Sequence, residues 1–301
     1  MNLPNELKAE QKITKSGWFV FAILLVSAAL SFIAVGTSAQ SDGLLKVYFL
    51  NVGQGDSEFI QAPNGNQVLI DGGPDNKVLE ELGKVMPFYD RTIDLVILSH
   101  PHADHVDGLI EVLKNYKVSK IIENGINFQS PDYEEWNKVK NAAEVIPAQA
   151  GEIVDLGDGI TLNILYPYNI GSGDTVITGA MSSKVHDYMV VSKLNYGTES
   201  VMFTGDMETK VEDELVNKGV ELNAQFLKVG HHGSKTSTSE EFLDVVKPEV
   251  AFIEVGKNNI YKFPNSTVLA RLENHGIKYY RTDINGTVEL SLDGQNYRIN
   301  N

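Results

Sequence analysis

Asp94-Leu95-Val96-Ile97-Leu98-Ser99-His100-Pro101-His102-Ala103-Asp104-His105 is the stretch on which the reading of this chain turns. An apolar strand pattern, Asp94–Leu98, runs straight into four metal-competent side chains, and a helical pattern begins after them. Side chains alternate along extended backbone, so His100 and His102 point the same way. Asp104 and His105 fall on the turn into the helix and can face a second ion. The chain has only 7 histidines, and three of them stand in this run, which a merely solvated loop does not require. His, His, Asp and His are the donors of a hydrolytic Zn²⁺, Mn²⁺ or Fe site. With no cysteine in the sequence, disulfides, thiolate metal sites and thiol nucleophiles are excluded.

Three further segments join this one. In Phe226-Leu227-Lys228-Val229-Gly230-His231-His232-Gly233-Ser234 a second apolar strand ends in histidine, between glycines that let backbone approach closely. His231 is the favoured ligand there and His232 the favoured neighbour or substrate group. In Val201-Met202-Phe203-Thr204-Gly205-Asp206 a third strand delivers one carboxylate, and a carboxylate can bridge two cations about 3.5–4 Å apart. His186 opens a predicted strand; it reads equally as a third imidazole for the first metal or as an ordinary surface or core histidine. Asp71, in Asp71-Gly72-Gly73, can accept the second N–H of a ligating imidazole, or simply make a turn. Ser234 and Lys235 are candidate phosphate contacts, against the plainer reading of a solvated loop. His275, at the end of a helical pattern, reads as a cap favoured by the helix dipole. Gly53-Gln54-Gly55-Asp56 is not a phosphate loop, because no Gly-Lys-[Ser/Thr] follows.

The 301 residues are 42% hydrophobic and 22% charged, which excludes a disordered, collagen-like or multi-span membrane chain. Net charge is −15. Such a surface does not draw in nucleic acid globally, so a polyanionic substrate needs a local basic patch or metal centre. Residues 1–41 form a segment apart. Lys8, Lys12 and Lys15 precede an apolar run, Trp18–Val35, whose helix would be about 27 Å long and just long enough to cross a bilayer. It reads as a membrane anchor or as a signal peptide cut after Ala39, and either puts the rest outside the cytoplasm. Residues 44–301 read as one domain. Its start is β-rich and the remainder alternates strand and helix, which predicts two packed sheets with helices outside, an αββα sandwich. Tyr168–Lys184, polar and Gly-rich, reads as a long loop between halves.

His100-x-His102-x-Asp104-His105, Gly205-Asp206 and His231 resemble the metallo-β-lactamase superfamily. Phe49-Leu50-Asn51-Val52-Gly53-Gln54-Gly55-Asp56-Ser57, Asp71-Gly72-Gly73, Leu98-Ser99-His100-Pro101-His102 and Leu227-Lys228-Val229-Gly230-His231-His232-Gly233-Ser234 resemble, more narrowly, the hydrolase domain of the ComEC competence proteins and its stand-alone relatives. The resemblance runs from about Leu44 to Val288. It implies a four-layer αββα fold and two divalent ions, Zn or Mn. It implies His100 and His102 on metal one, Asp104, His105 and His231 on metal two, and Asp206 as the bridge. The branch's reading is phosphodiester hydrolysis, and one group of relatives removes phosphorylcholine from cell-wall polymers. Four positions depart from the branch: His186 and Met189 replace an Asn and a Ser, Phe263 stands where Tyr-x-His-Pro has its imidazole, and Asp107 replaces a Gly.

These residues predict a metal-dependent hydrolase in which a water activated by two cations attacks phosphorus. Asp104 would orient the nucleophile and His232 would protonate the leaving oxygen. DNA or another extracellular phosphodiester is the expected substrate. The alternatives are a hydrolase of lactone, amide or thioester bonds, and a non-catalytic membrane-tethered binding module. A basic groove would favour the first reading and an apolar pocket the second.

Overall fold

Strand β1 (Leu45–Phe49) shows how the chain builds its layers. Leu45, Val47 and Phe49 enter one core and Tyr48 enters another, because successive side chains leave opposite faces of a strand. A computed structural model describes residues 43–168 and 176–301, together with Ile23 and Val26. Residues 43–301 form one unit. The apolar run Trp18–Val35 lies outside the described residues apart from Ile23 and Val26. Among the described residues no helix is long and apolar enough to cross a membrane.

Two sheets face each other. The first orders its strands as β17 (Tyr297–Asn300), β16 (Val288–Leu292), β1, β2 (Glu58–Gln61), β3 (Gln67–Ile70), β4 (Thr92–Leu98), β5 (Lys117–Glu123) and β7 (Glu144–Pro147). The second orders β15 (Lys278–Arg281), β14 (Val250–Ile253), β13 (Phe226–Lys228), β12 (Glu199–Phe203), β11 (Val191–Tyr196), β9 (Ile160–Tyr166) and β8 (Ile153–Gly157). Phe49, Ile97, Phe203 and Phe252 meet in the core between the sheets. Outside the first sheet pack the helices Lys77–Val85, Ala103–Asn115 and Pro131–Val139, through Leu82, Leu109 and Trp136. Outside the second pack Thr209–Asn217, Glu240–Val246 and Ser266–Asn274, through Leu215, Phe242 and Leu272. The result is the four-layer αββα sandwich expected from the alternation of patterns.

Within each sheet the strands nearest the chemistry run parallel: β3 with β4 and β4 with β5, then β12 with β13 and β13 with β14. Their carboxyl ends therefore share one edge. Backbone contact fixes that edge. Gly72 N donates to the His105 carbonyl at 2.9 Å, and Gly108 N to the Gly73 carbonyl at 3.0 Å. A Cβ on Gly108 would meet the Gly72 carbonyl oxygen at 1.8 Å, so only glycine permits this approach of helix to turn.

Three boundaries differ from the sequence reading. The helix expected from Val106 starts at Ala103, which puts Asp104 and His105 in its first turn. The strand expected to open with His186 starts at Val191, and His186 lies in a 3₁₀ segment, Gly179–Tyr188. Part of the predicted loop Tyr168–Lys184 is ordered: β10 (Val176–Thr178) pairs in parallel with β6 (Asn127–Gln129). Residues 169–175 of that loop lie outside the described residues.

Candidate metal centre

The donors follow the carboxyl ends of the parallel strands, where open α/β sheets gather ligands. Asp71 follows β3, His100 and His102 follow β4, Asp206 follows β12, and His231 and His232 follow β13. His102 is extended (φ −74°, ψ 151°) and caps the helix at Ala103. The two imidazoles thus share a side, as the alternation predicts, with His100 Nε2 3.0 Å from His102 Nδ1.

Two donor sets result. In one, His100, His102 and His186 offer ligand atoms within 4.8 Å of one another. In the other, Asp104, His105, Asp206 and His232 do so, and His186, Asp206 and His231 form a further group that overlaps both. Asp206 faces both. Its Oδ2 lies 3.8 Å from His100 Nε2 and 3.7 Å from His231 Nε2, while its Oδ1 lies 3.5 Å from His105 Nε2 and 3.4 Å from His232 Nε2. Buried polar atoms ordinarily find partners. Here His102 Nε2, His105 Nε2, His232 Nε2, Asp206 Oδ1 and both ring nitrogens of His186 are buried and unpartnered. Convergent, buried, unpaired nitrogen and oxygen donors fit divalent cations.

The geometry divides the two adjacent histidines differently from the implied assignment. His232, not His231, joins Asp104 and His105; His231 joins His186 and Asp206. The cause is local backbone. His231 (φ 47°) and His232 (φ 53°) both adopt left-handed conformations, so a sequence count cannot say which ring turns inward. His232 is 1% exposed. Its Nδ1 donates to the Glu254 carbonyl at 2.9 Å and lies 3.0 Å from Asp56 Oδ1. His231 is more open, with Nδ1 3.2 Å from Glu208 Oε1. His186, buried, also approaches Glu208, at 3.6 Å.

Electrostatics separate the two sets. Burial, then neighbouring imidazoles, hold His100 well below the usual range and bring His102 down to about 4; both are neutral and ready to donate lone pairs. His105 and His232 go the other way. Burial opposes their charge, but Asp206 with Asp71 outweighs it for His105, and Asp206 with Asp56 brings His232 up to about 10. The partner carboxylates respond: against burial, His105 and His232 bring Asp104 down to about 2 and hold Asp206 well below its usual range.

Support comes from behind. His105 Nδ1 donates to Asp71 Oδ2 at 2.7 Å, and Ser99 donates to both Asp71 oxygens, from N at 2.8 Å and Oγ at 2.5 Å. This fixes the tautomer that leaves His105 Nε2 free for a cation. Lys228, fully buried, pairs with Asp56 and donates to the Gly205 carbonyl at 3.0 Å. One ammonium thus ties the Asp56 turn to the turn that presents Asp206.

The two candidate phosphate contacts, Ser234 and Lys235, differ in exposure. Ser234 is buried and its hydroxyl meets Thr236 Oγ1 at 3.0 Å; Lys235 is exposed; neither lines the cavity at the donors. His275, at its helix end, has Nδ1 2.8 Å from the Arg271 carbonyl. Sequence reasoning passed over Asp56, Glu208, Lys228 and Glu254. Two had a signal: Lys228 is a charge on an apolar strand and Glu254 directly follows one, and a buried charge needs a partner.

A family model described as the metallo-beta-lactamase superfamily matches residues 50–256. ComE operon protein 3 of Bacillus subtilis is 31% identical over 262 residues, covering 81% of this chain and 32% of that protein. Competence protein ComA of Neisseria gonorrhoeae is 30% identical over 289 residues, covering 90% and 35%. The chain therefore spans about a third of the length of these curated relatives. Among solved structures, the metallo-beta-lactamase fold protein YhfI of Bacillus subtilis superposes with a TM-score of 0.52 at 14% identity, over 82% of this chain and all of that one.

Proposed function

This chain belongs to the metallo-beta-lactamase superfamily, and from that premise we propose that it is a phosphodiesterase of nuclease type. The observation that carries the reading is Asp206 standing between two donor sets, one oxygen toward each. A shared carboxylate between two cation sites suits in-line displacement at phosphorus, where attacking and leaving oxygens both need charge stabilisation. Bound divalent ions supply that Lewis-acid stabilisation and a nucleophile available near neutral pH. Zn²⁺ and Mn²⁺ both suit this imidazole and carboxylate set. Relatives named a competence protein and a recombination protein lend support to this reading. An extracytoplasmic site, held or released by the N-terminal apolar segment, is part of the same proposal.

The chain's own residues divide the work. His100, His102 and His186 would hold one ion, the first two as neutral imidazoles. Asp104, His105 and His232 hold the other. Asp71 orients His105, and Asp56 with the Glu254 carbonyl orients His232. His231 is the more open imidazole and its Nδ1 is engaged by Glu208. It, rather than the buried His232, delivers the proton to the leaving oxygen.

The test is hydrolysis of bis(p-nitrophenyl) phosphate by the chain loaded with Zn²⁺ or Mn²⁺. Metal-dependent turnover that falls to background in Asp206→Asn is expected. Two bound ions without phosphodiester turnover would redirect the assignment to lactone, amide or thioester substrates.

A further inference from the structure

One wall of the cavity is a loop that holds no donor. Residues 256–264 leave the end of β14 and are pinned by one side chain. Asn259 Nδ2 donates to the carbonyls of Gly256 (3.0 Å) and Phe263 (2.8 Å), and its Oδ1 accepts from Phe263 N at 2.9 Å. Gly256 N donates to Gln54 Oε1 at 3.1 Å. So held, the loop stacks Tyr261 on Phe263, with ring centroids 5.6 Å apart and planes at 19°. Phe263 in turn packs on His231 and His232, at 5.6 and 6.4 Å. Both aromatic rings line the cavity of about 540 Å³ that contains Asp104, Asp206 and the two histidines.

Tyr261 is nevertheless 60% exposed and its neighbour Ile260 86%. Phe263 is half-buried against the core outside the second sheet, but nothing in the fold's stability asks for the Tyr261 ring in water beside the donors. Lys257 and Lys262 are exposed in the same loop, and Lys235 in the loop after His232. None of the three has an ion-pair partner among the described residues. The carboxylates Asp104 and Asp132 also line the cavity, so an anionic chain is favoured along the lysine loop rather than across the cavity floor.

We propose that Tyr261 and Phe263 form a stacking platform for a base of single-stranded nucleic acid, with Lys257 and Lys262 on its phosphates. The phosphodiester beside the stacked base is then presented to the donor sets. This rests on the phosphodiester reading and narrows it to an unpaired nucleic-acid strand. Every base offers a π-face, so such a platform gives affinity without sequence choice. A pinned loop loses little entropy on binding. A surface of net charge −15 gives no long-range attraction, so the contact must be local.

The full-length chain in EDTA, where no hydrolysis occurs, is titrated against a fluorescein-labelled oligothymidylate and an abasic oligomer of equal length. The oligothymidylate is expected to bind roughly tenfold more tightly. Tyr261→Ala removes that difference, Tyr261→Trp keeps it, and Lys257→Gln with Lys262→Gln weakens both oligomers and flattens the salt dependence. Melting by circular dichroism checks that these exposed substitutions leave the fold intact. Equal binding of the two oligomers, discrimination that survives Tyr261→Ala, preference for duplex, or no binding would each overturn the platform. Bis(p-nitrophenyl) phosphate hydrolysis is read separately: turnover without base discrimination sinks the platform alone, and loss of that turnover sinks the phosphodiester reading itself.

Discussion

In the first half of the domain, His100, His102, Asp104 and His105 ride on a strand end and on the first turn of a helix. In the second half, His231 and His232 ride on consecutive left-handed residues with φ of 47° and 53°. Regular elements carry their own periodicity, so the first cluster's pairing of side chains follows from counting residues. A left-handed turn has no such period, and there the outcome depends on what packs behind it. For His232 that is Asp56 and the Glu254 carbonyl, supplied from distant parts of the chain. His100 and His102 are neutral, whereas His105 and His232, one from each half, are ion-paired, because the second-half carboxylate Asp206 is buried with both.

The sharpest way to break this contrast is to remove each member of the second pair. His232→Ala should cost one of two bound ions and nearly all turnover. His231→Ala should keep both ions and lose roughly 10²–10⁴-fold in turnover, the range for a proton-transfer group. Metal content by elemental analysis beside the rate decides it; loss of an ion from His231→Ala would reverse the two roles.

Supports behind the donors should have smaller effects. Asp71→Asn removes the acceptor that fixes His105, and metal affinity should fall about 10–100-fold with the fold intact. Lys228→Met leaves buried Asp56 without its ammonium, facing only the imidazoles of His232 and His105. It should lower stability by about 3–5 kcal/mol, read by denaturant unfolding with the metal removed. Unchanged stability would show that the ammonium does not hold the two turns together.

A pH series sharpens the electrostatic half of the comparison. His232 is raised from the usual 6.5 to about 10. In metal-free protein its ion pairs therefore stabilise fully below about pH 6.5, and the contribution is lost as pH climbs through about 10. A cation needs the deprotonated ring. Metal binding should release protons at neutral pH, and apparent affinity should rise with pH until about 10. Calorimetry in buffers of different ionisation enthalpy measures this directly; binding without proton release would show that the set is already neutral.

The same comparison explains what the sequence could reveal. The strands leading into His100, Asp206 and His231 were legible because apolar runs end abruptly in donors. The sandwich followed from their alternation with helical patterns. The sequence leaves His186 open between ligand and ordinary histidine because its segment is a 3₁₀ turn with no strand or helix period. Ser234 reads as a phosphate contact from its neighbours, but its hydroxyl is turned inward to Thr236. Asp56 and Glu254 escaped notice because their meaning lies in contacts nearly 200 residues apart in sequence, such as Ser57 N to Glu254 Oε1 at 3.1 Å.

The account stands on two cation sites sharing Asp206. The direct test is a crystal of the metal-loaded chain measured at the metal's absorption edge. Two anomalous peaks are predicted, one among His100, His102 and His186 and the other among Asp104, His105 and His232, with Asp206 contacting both. A single peak, or a second peak held by His231 in place of His232, would contradict it.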